Sequence, residues 1–275
     1  AVVFANSVLG ARCNRNSGML DLFGSIIGYV PYFGLVTDEG RKATWKVYVK
    51  TTSKPEAQIL GSAIGMKVME EVPYVYGLDQ WIGNELNDET VSYLKDFGAA
   101  TASNGAVGLY HIDGLTPEAK ESGEALITED AKTYIIDDEE LERVYKSYPV
   151  MWKNPDAKPN LCFIGCPHLS YRQLCNWTEI LEKSLNETGR NKVVLTTIMT
   201  TSPQVKKKFM ATPYYQKLTG MGVKVASICP LMFTNNPMTK KRVILTNSNK
   251  LRTYSTARYF KDEKIAAIIT GKEGI

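Results

Sequence analysis

Residues 161–209 read LCFIGCPHLSYRQLCNWTEILEKSLNETGRNKVVLTTIMTTSPQVKKKF. The run opens on an apolar strand, Leu161–Ile164. After a Gly-Cys-Pro-His turn the apolar residues change to helical spacing, at Leu174, Trp177, Leu181 and Leu185. Ser170 followed by Gln173 is a capping-box start for that helix. Val193–Thr197 reads as the next strand, and Ser202 with Pro203 as cap and first turn of a helix reaching Phe209. Val223–Ser227, Val243–Thr246 and Ile265–Ile269 read as further strands. Strands alternating with helices predict an α/β fold, a mostly parallel sheet covered on both faces. Ligands of such sheets sit beyond the carboxyl ends of the strands.

Towards the N-terminus the pattern is looser. Pro149, Pro155 and Pro159 crowd into residues 149–160 and mark a boundary between 1–150 and 151–275. The charge changes there too. Residues 1–150 carry 13 Lys+Arg against 22 Asp+Glu, and residues 151–275 carry 20 against 7. A basic half suits an anionic ligand or an acidic partner. In the first half, strands are predicted at 1–5, Tyr32–Val36, Thr44–Val49, Val72–Tyr76 and Ala106–Ile112. Helices are predicted at Pro55–Met69, Asp88–Phe97 and after a cap at Asp137 or Asp138. Ala1–Asn6 reads as a strand already under way, as in a piece of a longer chain.

With 275 residues and 44% hydrophobic content, the chain has enough apolar residues for a core without a disulfide or metal staple. No apolar run reaches the ~18 residues of a membrane span, and no signal-peptide pattern is present, so the expectation is a cytoplasmic protein. The five cysteines, Cys13, Cys162, Cys166, Cys175 and Cys229, are an odd number and argue against a disulfide framework. Lys206-Lys207-Lys208 and Lys240-Lys241-Arg242 lack the aromatic interleaving of nucleic-acid binders, so no nucleic acid is expected. Glycine-rich nucleotide loops, a zinc-protease motif and a serine nucleophile elbow are all missing.

The residues with chemistry fall in strand-end loops. Cys166 and Cys229 each precede a proline after an apolar run, a setting for iron–sulfur ligation; a buried cysteine also serves as a small apolar filler. Cys162 and Cys175 read as such fillers. His168 reads as a general acid or as a brace of its turn. Arg12 and Arg15 flank Asn14 in a glycine-containing loop, where a planar fork suits a carboxylate or phosphate or a surface ion pair. His111 ends a predicted strand and either serves the site or satisfies backbone. Ser170 reads as a helix cap, and Gly61 with Gly65 as close helix packing.

Four stretches together resemble the aconitase X family: Asn6-Ser7-Val8-Leu9-Gly10-Ala11-Arg12 with Asn14-Arg15; ASNGAVGLYHIDGLTPEA over 102–119; Gly165-Cys166-Pro167-His168-Leu169-Ser170; and Thr246-Asn247-Ser248 with Lys250. The resemblance implies aconitase-like lobes, the first of them N-terminally incomplete here. It also implies a dehydratase acting on a hydroxylated carboxylic acid, such as cis-3-hydroxyproline or mevalonate 5-phosphate. It implies an iron–sulfur cluster held by three cysteines, two of them at Cys166 and Cys229 and the third in a stretch upstream of residue 1. Substrate binding is expected from Ser7, Arg12, Asn14, Arg15, His111, Asn247 and Ser248, and catalytic roles from His168 and Lys250. The proton-abstracting base is expected on a small swivel-domain subunit or fused swivel domain. The chain departs from the family at Cys13, usually Thr, at Ser227-Ile228-Cys229, usually Asp-Thr-Cys, at Ser17–Leu20 and over 249–260. Two other readings stay open: a non-catalytic subunit that binds a swivel partner, and a metal-free lyase working through His168 and Lys250.

Overall fold

The structure is a computed structural model that describes residues 1–237, 239 and 242–274; Lys240 and Lys241 of the second basic cluster lie outside the described residues. The chain forms two compact units, Ala1–Lys146 and Ser147–Ile275. Among the described residues, no helix is long and apolar enough to cross a membrane.

In the first unit the elements run α1 (Val2–Val8), α2 (Gly18–Ile27), β1 (Ala43–Val49), α3 (Ala57–Val68), β2 (Pro73–Tyr76), α4 (Asp79–Ile82), α5 (Asp88–Asn104), β3 (His111–Ile112), α6 (Pro117–Ser122), β4 (Ile127–Ile136) and α7 (Asp138–Lys146). The four strands form a parallel sheet in the order β3-β2-β1-β4. Alternation in β1 buries Ala43, Trp45, Val47 and Val49 on one face. Helices α3 and α5 pack through their glycines. A Cβ on Gly61 would lie 2.4 Å from the Phe97 carbonyl, and one on Gly65 2.6 Å from that of Thr101. Asn87 caps α5 by accepting from the amides of Glu89 and Thr90.

In the second unit the order is β5 (Leu161–Leu169), α8 (Tyr171–Thr188), β6 (Thr197–Thr201), α9 (Pro203–Met210), α10 (Pro213–Gly220), β7 (Val223–Ala226), α11 (Pro230–Thr234), β8 (Ile244–Thr246), α12 (Asn249–Tyr254), β9 (Arg258–Tyr259) and α13 (Asp262–Thr270). The sheet is again all parallel, ordered β7-β6-β5-β8-β9. β5 is central because its first six residues are all buried. Ser170 and Gln173 make the capping box of α8, and Ser202 caps α9. The chain fills the sheet to one side of β5 and then crosses to the other at β8, so the switch point lies between β5 and β8.

Several predicted elements are corrected. Residues 2–5 are helical, because Val3, Asn6 and Ser7 share the buried side of α1 at helical spacing. Residues 265–269 lie in α13, with Asp262 and Glu263 in its first turn and Gly271 closing it in the left-handed region. Both runs are short and apolar, and periodicity does not separate strand from helix in such runs. The second strand of the second half begins at Thr197, since the amides of Val193 and Val194 bond to the carbonyls of Met221 and Ile269 outside the ladder. Tyr32–Val36 is a loop ending in a short 3-10 turn, and only His111–Ile112 of Ala106–Ile112 is paired. β5 does not stop at Ile164 but continues through Cys166-Pro167, a cis peptide, to Leu169, with a register shift on the way.

Gly165 makes that passage possible. Its φ is +111°, and a Cβ there would lie 2.4 Å from the carbonyl oxygen of Thr200. The Thr200 hydroxyl donates to the Gly165 carbonyl at 2.6 Å, and the Thr201 hydroxyl donates to that of Leu169 at 2.6 Å. Gly165→Ala is expected to destabilise the second unit by about 2 kcal/mol or more, through strain of a non-glycine residue in this region. Urea unfolding measures the loss; an unchanged midpoint would contradict it.

Candidate active site

The expected residues divide between the two units. In the first, the loop after α1 is fixed by Asn6. Its amide nitrogen donates to the carbonyls of Cys13 at 2.7 Å and Gly108 at 2.9 Å, and its oxygen accepts from the Cys13 amide at 3.0 Å. Ser7 is buried, and its hydroxyl oxygen accepts from the Tyr110 amide at 2.9 Å. Asn14 accepts from the Leu35 amide at 2.7 Å and donates to the Phe33 carbonyl at 2.9 Å. Arg12 pairs with Asp38 at 2.6 Å, which raises its pKa. Ser7, Arg12 and Asn14 thus tie the loop to its surroundings. Arg15 differs. It is exposed, and among the described residues no hydrogen bond or ion pair holds its guanidinium.

Beneath this loop lies a network that sequence reading missed. Arg41 is 1% exposed and forks onto Glu118, Nε to Oε1 at 2.6 Å and Nη2 to Oε2 at 2.9 Å. Its Nη1 donates to the Leu35 carbonyl at 2.8 Å. His111 is buried beside it, with Nε2 2.8 Å from the Arg41 carbonyl and Nδ1 3.8 Å from Glu118. A carbonyl only accepts, so Nε2 carries the proton. Desolvation lowers the His111 pKa, against the opposing pull of the Arg41 carbonyl and Glu118. The ring braces backbone here. Because the folded pKa lies below that of the unfolded chain, the unfolded state binds the extra proton as pH falls. Stability is then lost below about pH 6.5. His111→Asn is expected to flatten the fall in unfolding midpoint between pH 7 and pH 5; an equally steep fall in the variant would refute this.

In the second unit the expected residues gather at the switch point. The Ser248 hydroxyl, fully buried at the end of β8, donates to the carbonyl of Cys166 and accepts from the Leu251 amide at 3.0 Å as cap of α12. His168 lies two residues beyond Cys166, and its Nε2 is 3.0 Å from the carbonyl of Ile228. Ile228 directly precedes Cys229, which is exposed at the start of α11. Phe233 of α11 meets Phe163 of β5 with ring centroids 5.2 Å apart, and Leu231 and Phe233 pack on the cluster that contains Cys166. The two cysteine-bearing segments are thus neighbours through both backbone and side chains. Cys166 is 7% exposed. Asn247 donates to Asp262 at 2.9 Å. Lys250 is half-buried, with no ion pair or hydrogen bond on its ammonium among the described residues. Ser248 acts as a tie between loops, its hydroxyl already engaged as donor and acceptor.

Cys162 and Cys175 are interior thiols whose pKa values burial pushes up. Among the described residues, no three His, Cys, Asp or Glu side chains converge as a metal site. Two open cavities of about 820 and 570 Å³ in this unit lie around Trp152 and Arg242 and around Val194 and Arg258, and none of the expected site residues lines either.

A two-unit α/β chain with cysteine, histidine and lysine at a parallel-sheet switch point can be compared with known proteins. The aconitase X first-, second- and third-domain models match residues 1–39, 42–146 and 159–268. The phosphomevalonate dehydratase large subunit of Thermococcus kodakarensis is 38% identical over 183 residues, 66% of this chain and 43% of that protein. Its Methanosarcina mazei counterpart is 30% identical over 92% of this chain and 57% of that protein. A cis-3-hydroxy-L-proline dehydratase of Hypocrea jecorina is 28% identical over 92% of this chain and 42% of that protein. The crystal structure of Thermococcus kodakaraensis aconitase X in its holo-form superposes with a TM-score of 0.79 at 30% identity, covering 98% of this chain and 66% of that one. The chain belongs to the aconitase X family. It spans about half the length of the curated relatives it matches.

Proposed function

We propose that this chain is the cluster- and substrate-binding part of a hydro-lyase that eliminates water from a hydroxylated carboxylic acid. The observation that supports this most is the meeting of the Cys166 and Cys229 segments at the switch point, joined by His168 to Ile228 and tied to β8 by Ser248. Relatives named as dehydratases of phosphomevalonate and of cis-3-hydroxyproline give the reaction class.

Thiolates are the donors that iron–sulfur clusters take, and two of them on adjacent segments fit as part of a cluster's donor set. With no third convergent donor among the described residues, Cys166 and Cys229 are this chain's share, and a third ligand belongs to polypeptide outside these residues. When bound, the cluster supplies a Lewis acid that makes a hydroxyl a better leaving group.

The chain's own groups bind and move protons. His168 Nε2 donates to the Ile228 carbonyl, which fixes the ring. We assign the His168 imidazolium the delivery of a proton to the departing hydroxyl, which leaves as water. Among the expected residues of the second unit, Lys250 has no ion pair or hydrogen bond on its ammonium among the described residues, and it is assigned an anionic group of the substrate. The base that removes the substrate's proton is assigned to a small swivel-domain subunit, since relatives of this chain are named as large subunits.

The test is a dehydration assay on anaerobically reconstituted chain with a small subunit, using mevalonate 5-phosphate and cis-3-hydroxyproline as separate probes. One of the two is expected to turn over. Lys250→Ala is expected to raise its KM about tenfold or more, the loss of a charge-assisted bond. Turnover of neither probe, or an unchanged KM in the variant, would reject the assignment.

A further inference from the structure

Strand pairing does not place Cys166. On its β6 side, β5 pairs Ile164 with Met199 and next Leu169 with Thr201, so Gly165, Cys166, Pro167 and His168 all stand opposite Thr200. On the β8 side the pairing ends at Phe163 with Thr246. Two side-chain hydroxyls act where the ladders stop. The Thr200 hydroxyl, fully buried on β6, donates to the Gly165 carbonyl at 2.6 Å. The Ser248 hydroxyl, fully buried just past β8, donates to the Cys166 carbonyl. Ser248 is itself held, its amide donating to the Thr246 hydroxyl at 3.0 Å and its hydroxyl accepting from the Leu251 amide at 3.0 Å.

These two bonds fall on either side of one Cα. The Gly165 carbonyl belongs to the peptide plane that enters Cys166, and the Cys166 carbonyl to the plane that leaves it. Peptide planes are rigid, so φ and ψ of Cys166 are the soft rotations between them. Holding both carbonyls fixes both angles, and with them the direction of the Cα–Cβ bond. The thiol is left a choice among staggered χ1 wells. Both hydroxyls are shut away from water, so neither bond is exchanged for one to solvent.

We propose that Thr200 and Ser248 are positioning residues for the Cys166 thiolate, one hydroxyl from each side of β5 setting the direction in which its sulfur points. The purpose of this clamp rests on the reading of Cys166 as a cluster ligand; its geometry rests on the two hydrogen bonds alone. Groups that orient a metal ligand contribute about 10–100-fold to metal affinity or activity. Thr201 supplies a matched control. It is the next residue of β6 and equally buried, and its hydroxyl donates to the Leu169 carbonyl at the same 2.6 Å, but that peptide plane lies beyond Cys166.

Two measurements on the 275-residue chain test it, the first without a cluster. Alkylation of Cys166 by iodoacetamide under native conditions is followed by site-resolved mass spectrometry. It is expected to run at least about tenfold faster in Thr200→Val and in Ser248→Ala than in the parent, and at the parent rate in Thr200→Ser and Thr201→Val. Cys162, on the same strand and 0% exposed, reports general opening and is expected to stay unreactive throughout. After anaerobic reconstitution, iron loss to excess chelator is expected to accelerate about tenfold or more in Thr200→Val and Ser248→Ala, with Thr200→Ser and Thr201→Val again like the parent. Alkylation or iron loss at the parent rate in Thr200→Val would overturn the proposal. So would equal acceleration in Thr201→Val, or a rise at Cys162 in step with Cys166, since either would show only loosened packing. A parent chain that takes up no iron would reject the cluster reading, and the alkylation rates would still decide the clamp.

Discussion

Glu118→Ala is expected to cost the first unit about 3–5 kcal/mol, the range for removing one partner of a buried ion pair. It leaves the Arg41 guanidinium, 1% exposed, without its carboxylate. Against the ~5–15 kcal/mol of total stability usual for a domain, that is enough to unfold the unit or bring it close. The pair is also a junction. Arg41 donates to the Leu35 carbonyl, and its own carbonyl receives His111, so its loss frees the segment to which Asn14 ties the Arg15 loop. Arg41→Met combined with Glu118→Leu is expected to recover much of the loss, since neither charge then remains buried alone. Urea melts of the two single variants and the double variant give the coupling. A single substitution costing under 1 kcal/mol would show the pair to be screened like a surface bridge.

The second large effect is chemical. Cys166→Ser and Cys229→Ser are each expected to lower the dehydration rate by about a thousandfold or more, because losing Lewis-acid assistance forfeits several kcal/mol of transition-state stabilisation. Cys162→Ser and Cys175→Ser serve as controls. Both thiols sit in the apolar cluster of β5, α8 and their neighbours, so these changes are expected to affect stability and leave iron content alone. Parent-like iron content in either of the first two variants would remove that cysteine from the ligand set.

The second unit was the more legible in sequence because its signals are local. The capping box of Ser170 and Gln173, the Ser202-Pro203 start and the Leu174–Leu185 stripe each act within a few residues, and the structure contains all three. The neighbourhood of Cys166 and Cys229 was suggested by strand-end position, and it is realised by the Ile228 carbonyl and the rings of Phe163 and Phe233. In the first unit the controlling contacts are distant in sequence. Arg41 meets Glu118 77 residues away and receives His111 70 residues away, and nothing near Arg41-Lys42 sets Arg41 apart from a solvated cation. β4 escaped notice because it is an edge strand, with Glu129 and Asp130 exposed, so neither alternation nor an apolar run announces it. α2 escaped because none of its residues is buried, so no core-facing stripe marks it. Ser7, Asn14 and Ser248 were expected at the substrate for their place in a family signature, and their side chains also hold backbone in position, through partners distant in sequence.

The most direct measurement is anaerobic reconstitution of the 275-residue chain with iron, sulfide and excess dithiothreitol, whose thiolates stand in for the third ligand, followed by Mössbauer spectroscopy and iron and sulfide assay. A brown protein with iron and inorganic sulfide in cluster proportion, both lost in the Cys166→Ser, Cys229→Ser double variant, is expected. A folded protein that stays colourless and iron-free, or one whose cluster survives both substitutions, would contradict the assignment of Cys166 and Cys229.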